Sequence, residues 1–132
     1  MKIKDNKIDS KFSIIAQNFQ IMLETINGMR DDITVFLMFH DDDVISEGKI
    51  VAKKIKLVGK MVEDQFNPVE LMGICLYAHC ELTKDGAIYK FYTNRALIDG
   101  VEVPAKSPED MFPLIMENDI SLVVKAIEEY YG

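Results

Sequence analysis

The chain has 132 residues, of which 48% are apolar and 28% charged, and its formal net charge is −7. This composition predicts one folded domain over residues 1–132 and excludes an intrinsically disordered chain. The negative charge, with only two arginines among 15 basic residues, argues against a general nucleic-acid-binding protein, because phosphate would be repelled.

The first predicted element is an amphipathic helix that begins at Asp9 or Ser10 and ends near Gly28 or at 31–32. Its apolar residues recur at alternating spacings of three and four, the period of one helix face. This face can pack on the protein's own sheet or form the seam of a homodimer. The pattern is shorter than a typical coiled coil, which favours the first interpretation. The candidate interface residues are Phe12, Ile15, Phe19, Met22 and Ile26.

The next segment, residues 33–39, is rich in β-branched and aromatic residues. It predicts a central strand that is buried on both faces. The following residues 40–43, one histidine and three aspartates, predict a solvated turn. They lack the spacing of a calcium loop, so no metal is assigned there.

A stripe of lysines occupies the middle of the chain, at spacings of 4, 3 and 4 residues. This spacing predicts a helix over about 46–64, with the lysines on one face and apolar residues opposite. The stripe is the main concentration of positive charge in an acidic chain. It is either a solvated helix face or a binding surface for acidic groups of a partner. Its residues are Lys49, Lys53, Lys56 and Lys60.

Residues 68–82 fit two structures. As a strand they would pair with 88–93 across Asp85–Gly86, a strong hairpin signal. As a helix they would begin with Pro68 in the first turn. The hairpin is favoured, with a short helical turn at 68–72. A second Asp-Gly pair, at 99–100, predicts a shorter hairpin that ends before Pro104.

The C-terminal part predicts one or two helices. The first would begin at 107–110 and the second would be capped by Asp119. The predicted fold is therefore α+β, with a mostly antiparallel sheet of about four to five strands. An N-terminal amphipathic helix, a central lysine-striped helix and the C-terminal helices would pack on it. The core side of the last helix would be Ile120, Val123, Val124, Ile127 and Tyr131.

The cysteines and histidines number four in total, and together they could complete a tetrahedral zinc site. They show no CxxC or HxxxH spacing, and strand geometry would separate positions 75 and 79 by about 13 Å. A cysteine nucleophile with a histidine base is a further alternative without a supporting motif. We therefore predict no cofactor, no metal and no catalytic residue. The four residues are His40, Cys75, His79 and Cys80.

Cellular location is predicted from apolar runs and cysteines. No run has the length of a membrane span, the N-terminal residues lack a secretory apolar region, and the two cysteines form no disulfide framework. These features predict a cytoplasmic protein without a membrane interaction.

The predicted function is a small, non-catalytic, acidic protein-binding module: an adaptor, regulator, inhibitor or chaperone with an unidentified protein partner. Two alternatives are a metal-binding protein or enzyme that uses the cysteines and histidines, and a nucleic-acid-associated protein that uses the lysine stripe with the aromatic segment 89–92.

Overall fold

The structure, a computed structural model, describes residues 2–57 and 67–132. These residues form three helices and two sheets of four and three strands, and most strand pairs are antiparallel. The predicted α+β class is therefore confirmed. The predicted single sheet of about four to five strands is wrong, because the described strands form two separate sheets. The chain divides into two compact units, residues 1–41 with 55–71 and residues 42–54 with 72–132. The single domain over residues 1–132 remains a prediction, because two compact units can belong to one domain or to two.

Helix α1 extends over Lys2–Asn27 in the first unit, so the predicted helix is present but begins earlier. It ends where the sequence predicted, at a glycine: the backbone N–H of Gly28 donates to the carbonyl oxygen of Glu24 at 3.1 Å. Among the side chains of the helix that the structure describes, those of Ala16 and Leu23 are buried. The buried face is therefore rotated by one residue from the predicted stripe.

The predicted strand at 33–39 is wrong, because the structure assigns no strand to these residues. Strand propensity reflects how well a side chain fits a half-buried sheet surface and does not supply a pairing partner. Here Phe39 packs edge-to-face on Phe19 of α1, with ring centroids 6.0 Å apart, and Met38 is 95% exposed. At least part of the apolar segment therefore contacts a helix.

Strand β1 instead occupies Asp41–Ser46, where the sequence predicted a solvated turn. The acidic residues are accommodated in a sheet because the neighbouring strand supplies positive charge. The carboxylate of Asp43 forms an ion pair with the ammonium group of Lys53. A sequence pattern alone could not show this cross-strand pairing.

Strand β2, Lys49–Ile55, contradicts the predicted lysine-striped helix over the part that the structure describes. A two-residue turn, Glu47–Gly48, joins it to β1, with φ values of +52° and +75°. Two successive positive φ values are the signature of a type I′ hairpin turn. This turn fixes the two strands as neighbours, so pairing overrides the helical spacing. The rest of the predicted helix, residues 58–64, lies outside the described residues.

The second predicted hairpin is confirmed. Strand β5, Ala96–Ile98, pairs antiparallel with β6, Val101–Val103. Their turn, Asp99–Gly100, also has two positive φ values, +52° and +81°. Strand β6 ends before Pro104, as predicted, and pairs parallel with β2, so the four-stranded sheet has the order β1-β2-β6-β5.

The short helical turn predicted near Pro68 is confirmed as α2, Pro68–Leu71. Asn67 caps it, because its Oδ1 accepts the backbone N–H of Val69 at 3.1 Å. The long-helix alternative for 68–82 is wrong, since a strand, β3, begins at position 77.

The three-stranded sheet has the order β3-β4-β7 and is antiparallel throughout. Its central hairpin pairs β3, Tyr77–Thr83, with β4, Gly86–Tyr92, which confirms the favoured interpretation. The turn lies one residue earlier than predicted, at 84–85, and Gly86 begins the second strand with φ +127°. The third strand, β7, is Ile115–Glu117 and was not predicted.

The helix predicted to begin at 107–110 is wrong. The backbone N–H of Met111 bonds to the Pro108 carbonyl oxygen at 3.3 Å, and Asp110 has φ +63°, so the chain forms a turn. The last helix, α3, is Ile120–Tyr131 and has the predicted cap, Asp119. On its predicted core side Val123 is fully buried, whereas Ile120 and Tyr131 are exposed.

Candidate protein-binding surface

The outer part of the β3–β4 hairpin is exposed. Every residue from 80 to 89 is exposed, on both faces of the strand pair. The inner part differs, because Phe91 is buried and His79 is half-buried. The described part of the chain therefore covers the base of the hairpin and leaves its outer part open to solvent.

Strand alternation divides the hairpin into two faces. One face carries no charged side chain, and two cross-strand pairs define it: Cys80 opposite Tyr89, and Leu82 opposite Ala87. Leu82 is 85% exposed and Tyr89 is 61% exposed. We name this surface the apolar hairpin face. It consists of Ala78, Cys80, Leu82, Ala87 and Tyr89.

The opposite face of the hairpin carries its charged side chains, together with Ile88 opposite Glu81. The His79 ring packs edge-to-face on Tyr92, with centroids 5.9 Å apart. The Lys90 ammonium nitrogen lies 3.7 Å from a carboxylate oxygen of Glu81. Both contacts join β3 to β4, so this face contributes to holding the hairpin together.

The two cysteines occupy different environments. The Cys75 thiol is half-buried, and its Sγ lies 3.6 Å from the Pro104 carbonyl oxygen. Burial raises the pKa of this thiol, and the positive charge of Lys106 offsets the effect only in part. Cys80 is exposed on the apolar hairpin face. Only the thiol of Cys80 is therefore placed for contact with a partner molecule.

The predicted metal alternative gains no support. Within residues 2–57 and 67–132, no three side chains of His, Cys, Asp or Glu are arranged to hold a metal ion. Cys80 and His79 are adjacent on a strand, so their side chains leave opposite faces of the sheet.

The predicted lysine stripe does not form a helix face in the described part. Lys49 and Lys53 lie on β2, and Lys53 forms its ion pair with Asp43 of the neighbouring strand. Lys56 follows the strand, and its backbone N–H donates to the His40 carbonyl oxygen at 2.8 Å. Lys60 lies outside the described residues. Binding of an acidic partner by these lysines remains a prediction.

The predicted helix interface is partly covered. Ile15, Phe19 and Ile26 are half-buried, Met22 is exposed, and the side chain of Phe12 lies outside the described part. A homodimer through this stripe remains a prediction. The most exposed apolar residues described on α1 lie on a different line, Ile14 and Ile21.

The sequence predicted the hairpin but not its exposed face. Alternation of Ala78, Cys80 and Leu82 with polar neighbours is equally typical of a strand that packs on a core. Which face is covered depends on the rest of the fold, so the sequence held no further signal of a binding surface.

No protein-family model, curated protein or solved structure matches this chain. Among the helices of the described residues, none combines the length and apolar character needed to cross a membrane.

Proposed function

We propose that this chain is a small protein-binding module and that the apolar hairpin face is its contact surface. The observation that supports this is one strand pair whose apolar side chains are left open to solvent by the described part of the chain. Exposed apolar patches are costly in water and mark sites where another molecule docks.

The composition of the face suits a protein partner. Tyr89 offers a large ring and a hydroxyl group, and tyrosine is enriched among residues that dominate binding energy at interfaces. Leu82 offers an aliphatic anchor beside it. Two charged residues, Lys84 and Asp85, form the turn at the end of the hairpin, so the apolar surface has a polar rim there.

The role fits the sequence in a second respect. The acidic character of the chain favours association with other proteins over association with phosphate backbones. Adaptor, regulator, inhibitor and chaperone are all roles in which a small module contributes a docking surface.

The test compares affinity capture by the wild-type chain with capture by a double variant, Leu82→Ser with Tyr89→Ser. The matched control is Ile45→Ser with Leu97→Ser, because these two apolar residues are also highly exposed but lie on the other sheet. Circular dichroism and thermal unfolding establish that all three chains are folded.

The expected result is a protein that the wild type and the control retain equally. The hairpin variant should lose it by about tenfold or more, as expected for removal of two interface anchors. Equal retention of every captured protein by the hairpin variant would contradict the proposed surface.

A further inference from the structure

The outer edge of β3 is an unusual strand edge. The described sheets have four edge strands, β1, β3, β5 and β7, and β5 and β7 have only three residues each. Strand β1 carries three consecutive aspartates, a charge run that discourages pairing. Strand β3 has seven residues and contains neither proline nor lysine. It therefore lacks common protections against edge-to-edge pairing.

The orientation of the β3 backbone follows from its neighbours. The backbone N–H of Asn118, just after β7, donates to the carbonyl oxygen of Tyr89 at 3.4 Å. The Tyr89 carbonyl group therefore points towards β7 and away from β3. Because Cys80 is directly opposite Tyr89, the backbone N–H and C=O of Cys80 point away from β4. By alternation, Ala78 and Leu82 present their backbone groups to the same open edge.

These outward groups fit a second copy of the same strand. A two-fold axis at Cys80 places Ala78 opposite Leu82 of the other copy and Cys80 opposite itself. This arrangement aligns all seven residues of β3, Tyr77–Thr83, with their counterparts. Each of the three outward residues then lies in a position to exchange two backbone hydrogen bonds across the axis.

The side chains favour the same register. His79 and Glu81 lie between the hydrogen-bonded pairs. The axis at Cys80 places His79 of each copy opposite Glu81 of the other copy. A histidine N–H can donate to the carboxylate in this closely spaced, non-hydrogen-bonded position. A shift of the axis to Glu81 would place two carboxylates opposite each other, which is unfavourable.

We propose that two copies of this chain associate through the β3 edge, antiparallel about an axis at Cys80, and form a continuous six-stranded sheet. The occupant of the edge is thus a second copy, identified by its complementary strand. The two-fold axis leaves corresponding faces of the two copies on the same side of the joined sheet. The two apolar hairpin faces therefore form one larger surface. Pairing through the strand edge does not depend on whether that surface binds another protein.

The test measures dimerisation of the full chain by analytical ultracentrifugation, from about micromolar to millimolar concentration. Glu81→Lys places a cation opposite His79 of the other copy, and His79→Glu places two carboxylates opposite each other. Each single variant should weaken dimerisation by about tenfold, because two symmetry-related pairs are affected. Circular dichroism and thermal unfolding establish that each variant keeps its fold, because Glu81 and His79 also contact Lys90 and Tyr92 of their own hairpin.

The double variant, His79→Glu with Glu81→Lys, places opposite charges across the axis and should recover most of the dimerisation. The matched control is Asp85→Lys, which makes the same charge change in the turn outside the paired strand. A wild-type chain that stays monomeric, or a dimer that the single variants leave unchanged, would overturn the proposal.

A second measurement checks the position of the axis. Directly opposite residues in a hydrogen-bonded antiparallel pair have Cα atoms about 5.5 Å apart, a separation that a disulfide can bridge. Mild oxidation of the Cys75→Ala variant should therefore give a covalent dimer rapidly. The yield of covalent dimer should fall when Glu81→Lys is added. Such a fall would exclude random collision between exposed thiols as the source of the dimer, because collision does not depend on strand pairing. Oxidation that gives dimer at the same rate with and without Glu81→Lys would contradict the register.

Discussion

Ser107 and Thr93 connect two distant parts of the chain: the Ser107 hydroxyl donates to the Thr93 carbonyl oxygen at 2.8 Å. The Thr93 hydroxyl in turn donates to the Pro113 carbonyl oxygen at 2.7 Å, and its backbone N–H bonds to the Leu114 carbonyl oxygen at 3.0 Å. One residue just beyond β4 thus anchors the segments on either side of the turn at 109–111. This arrangement holds β7 beside the hairpin.

Replacement of Thr93 by valine tests this anchor. Thr93 is 0% exposed, so the substitution removes a hydroxyl donor from a buried position and keeps the shape of the side chain, and the Pro113 carbonyl oxygen loses its hydrogen bond. We expect a loss of about 1–2 kcal/mol in the free energy of unfolding, measured by urea denaturation.

Thr83 supplies the matched control for this substitution. Its hydroxyl also donates to a carbonyl oxygen at 2.7 Å, that of Gly86, but the pair is exposed and water can replace the bond. Thr83→Val should change the free energy of unfolding by less than about 0.5 kcal/mol. Equal losses from both substitutions would show that burial of the Thr93 network is unimportant.

The turn between β1 and β2 offers a stabilising substitution. Glu47 has φ +52°, a conformation that asparagine adopts more readily than glutamate. Glu47→Asn creates the Asn-Gly pair that a type I′ turn prefers. We expect a gain of about 0.5–1 kcal/mol in the free energy of unfolding. Asp99→Asn, at the corresponding position of the other hairpin, should have a smaller effect, because aspartate already tolerates this conformation.

Thiol reactivity should differ between the two cysteines. Burial raises the pKa of Cys75, so less of it is thiolate near neutral pH and reagents reach it poorly. Cys80 is exposed and should react first with an aromatic disulfide reagent. The Cys80→Ala variant should show slow labelling that accelerates as pH rises or when the chain is unfolded. Rapid labelling of that variant at neutral pH would contradict the buried position of Cys75.

The cap of α3 should make stability depend on pH. Hydrogen bonds from the Ser121 hydroxyl, at 2.6 Å, and the Ser121 backbone N–H, at 2.9 Å, lower the pKa of Asp119. Because the pKa of Asp119 is lower in the folded state than in the unfolded state, its ionised carboxylate stabilises the fold at pH values above the unfolded-state pKa. This stabilisation is lost as the pH falls through the folded-state pKa.

Two substitutions separate the charge of Asp119 from its capping role. Asp119→Asn keeps a capping oxygen but removes the titration, so its urea midpoint should change less between neutral and acidic pH than that of the wild type. Asp119→Ala removes both functions and should lower the midpoint at neutral pH. An unchanged pH dependence in the asparagine variant would show that other carboxylates control the acid response.

Local signals in the sequence determined the elements that short-range chemistry controls. Asp99–Gly100 specified a type I′ turn, because the positive φ values of such a turn favour these residue types. Asp119 specified a helix start, because its carboxylate satisfies backbone N–H groups. Pro104 ended a strand because it has no N–H to donate. Each prediction depended on only a few neighbouring residues.

The tertiary structure decided which segments pair and which faces remain open. The lysine spacing at 49–56 was helical, yet the type I′ turn at Glu47–Gly48 and pairing with β1 and β6 made part of it a strand. The apolar segment 33–39 had strand propensity, yet Phe39 packs on α1. The open edge of β3 and the apolar hairpin face likewise depend on which surfaces the described residues leave uncovered. Pairing and burial are properties of distant segments brought together, so no local pattern encodes them.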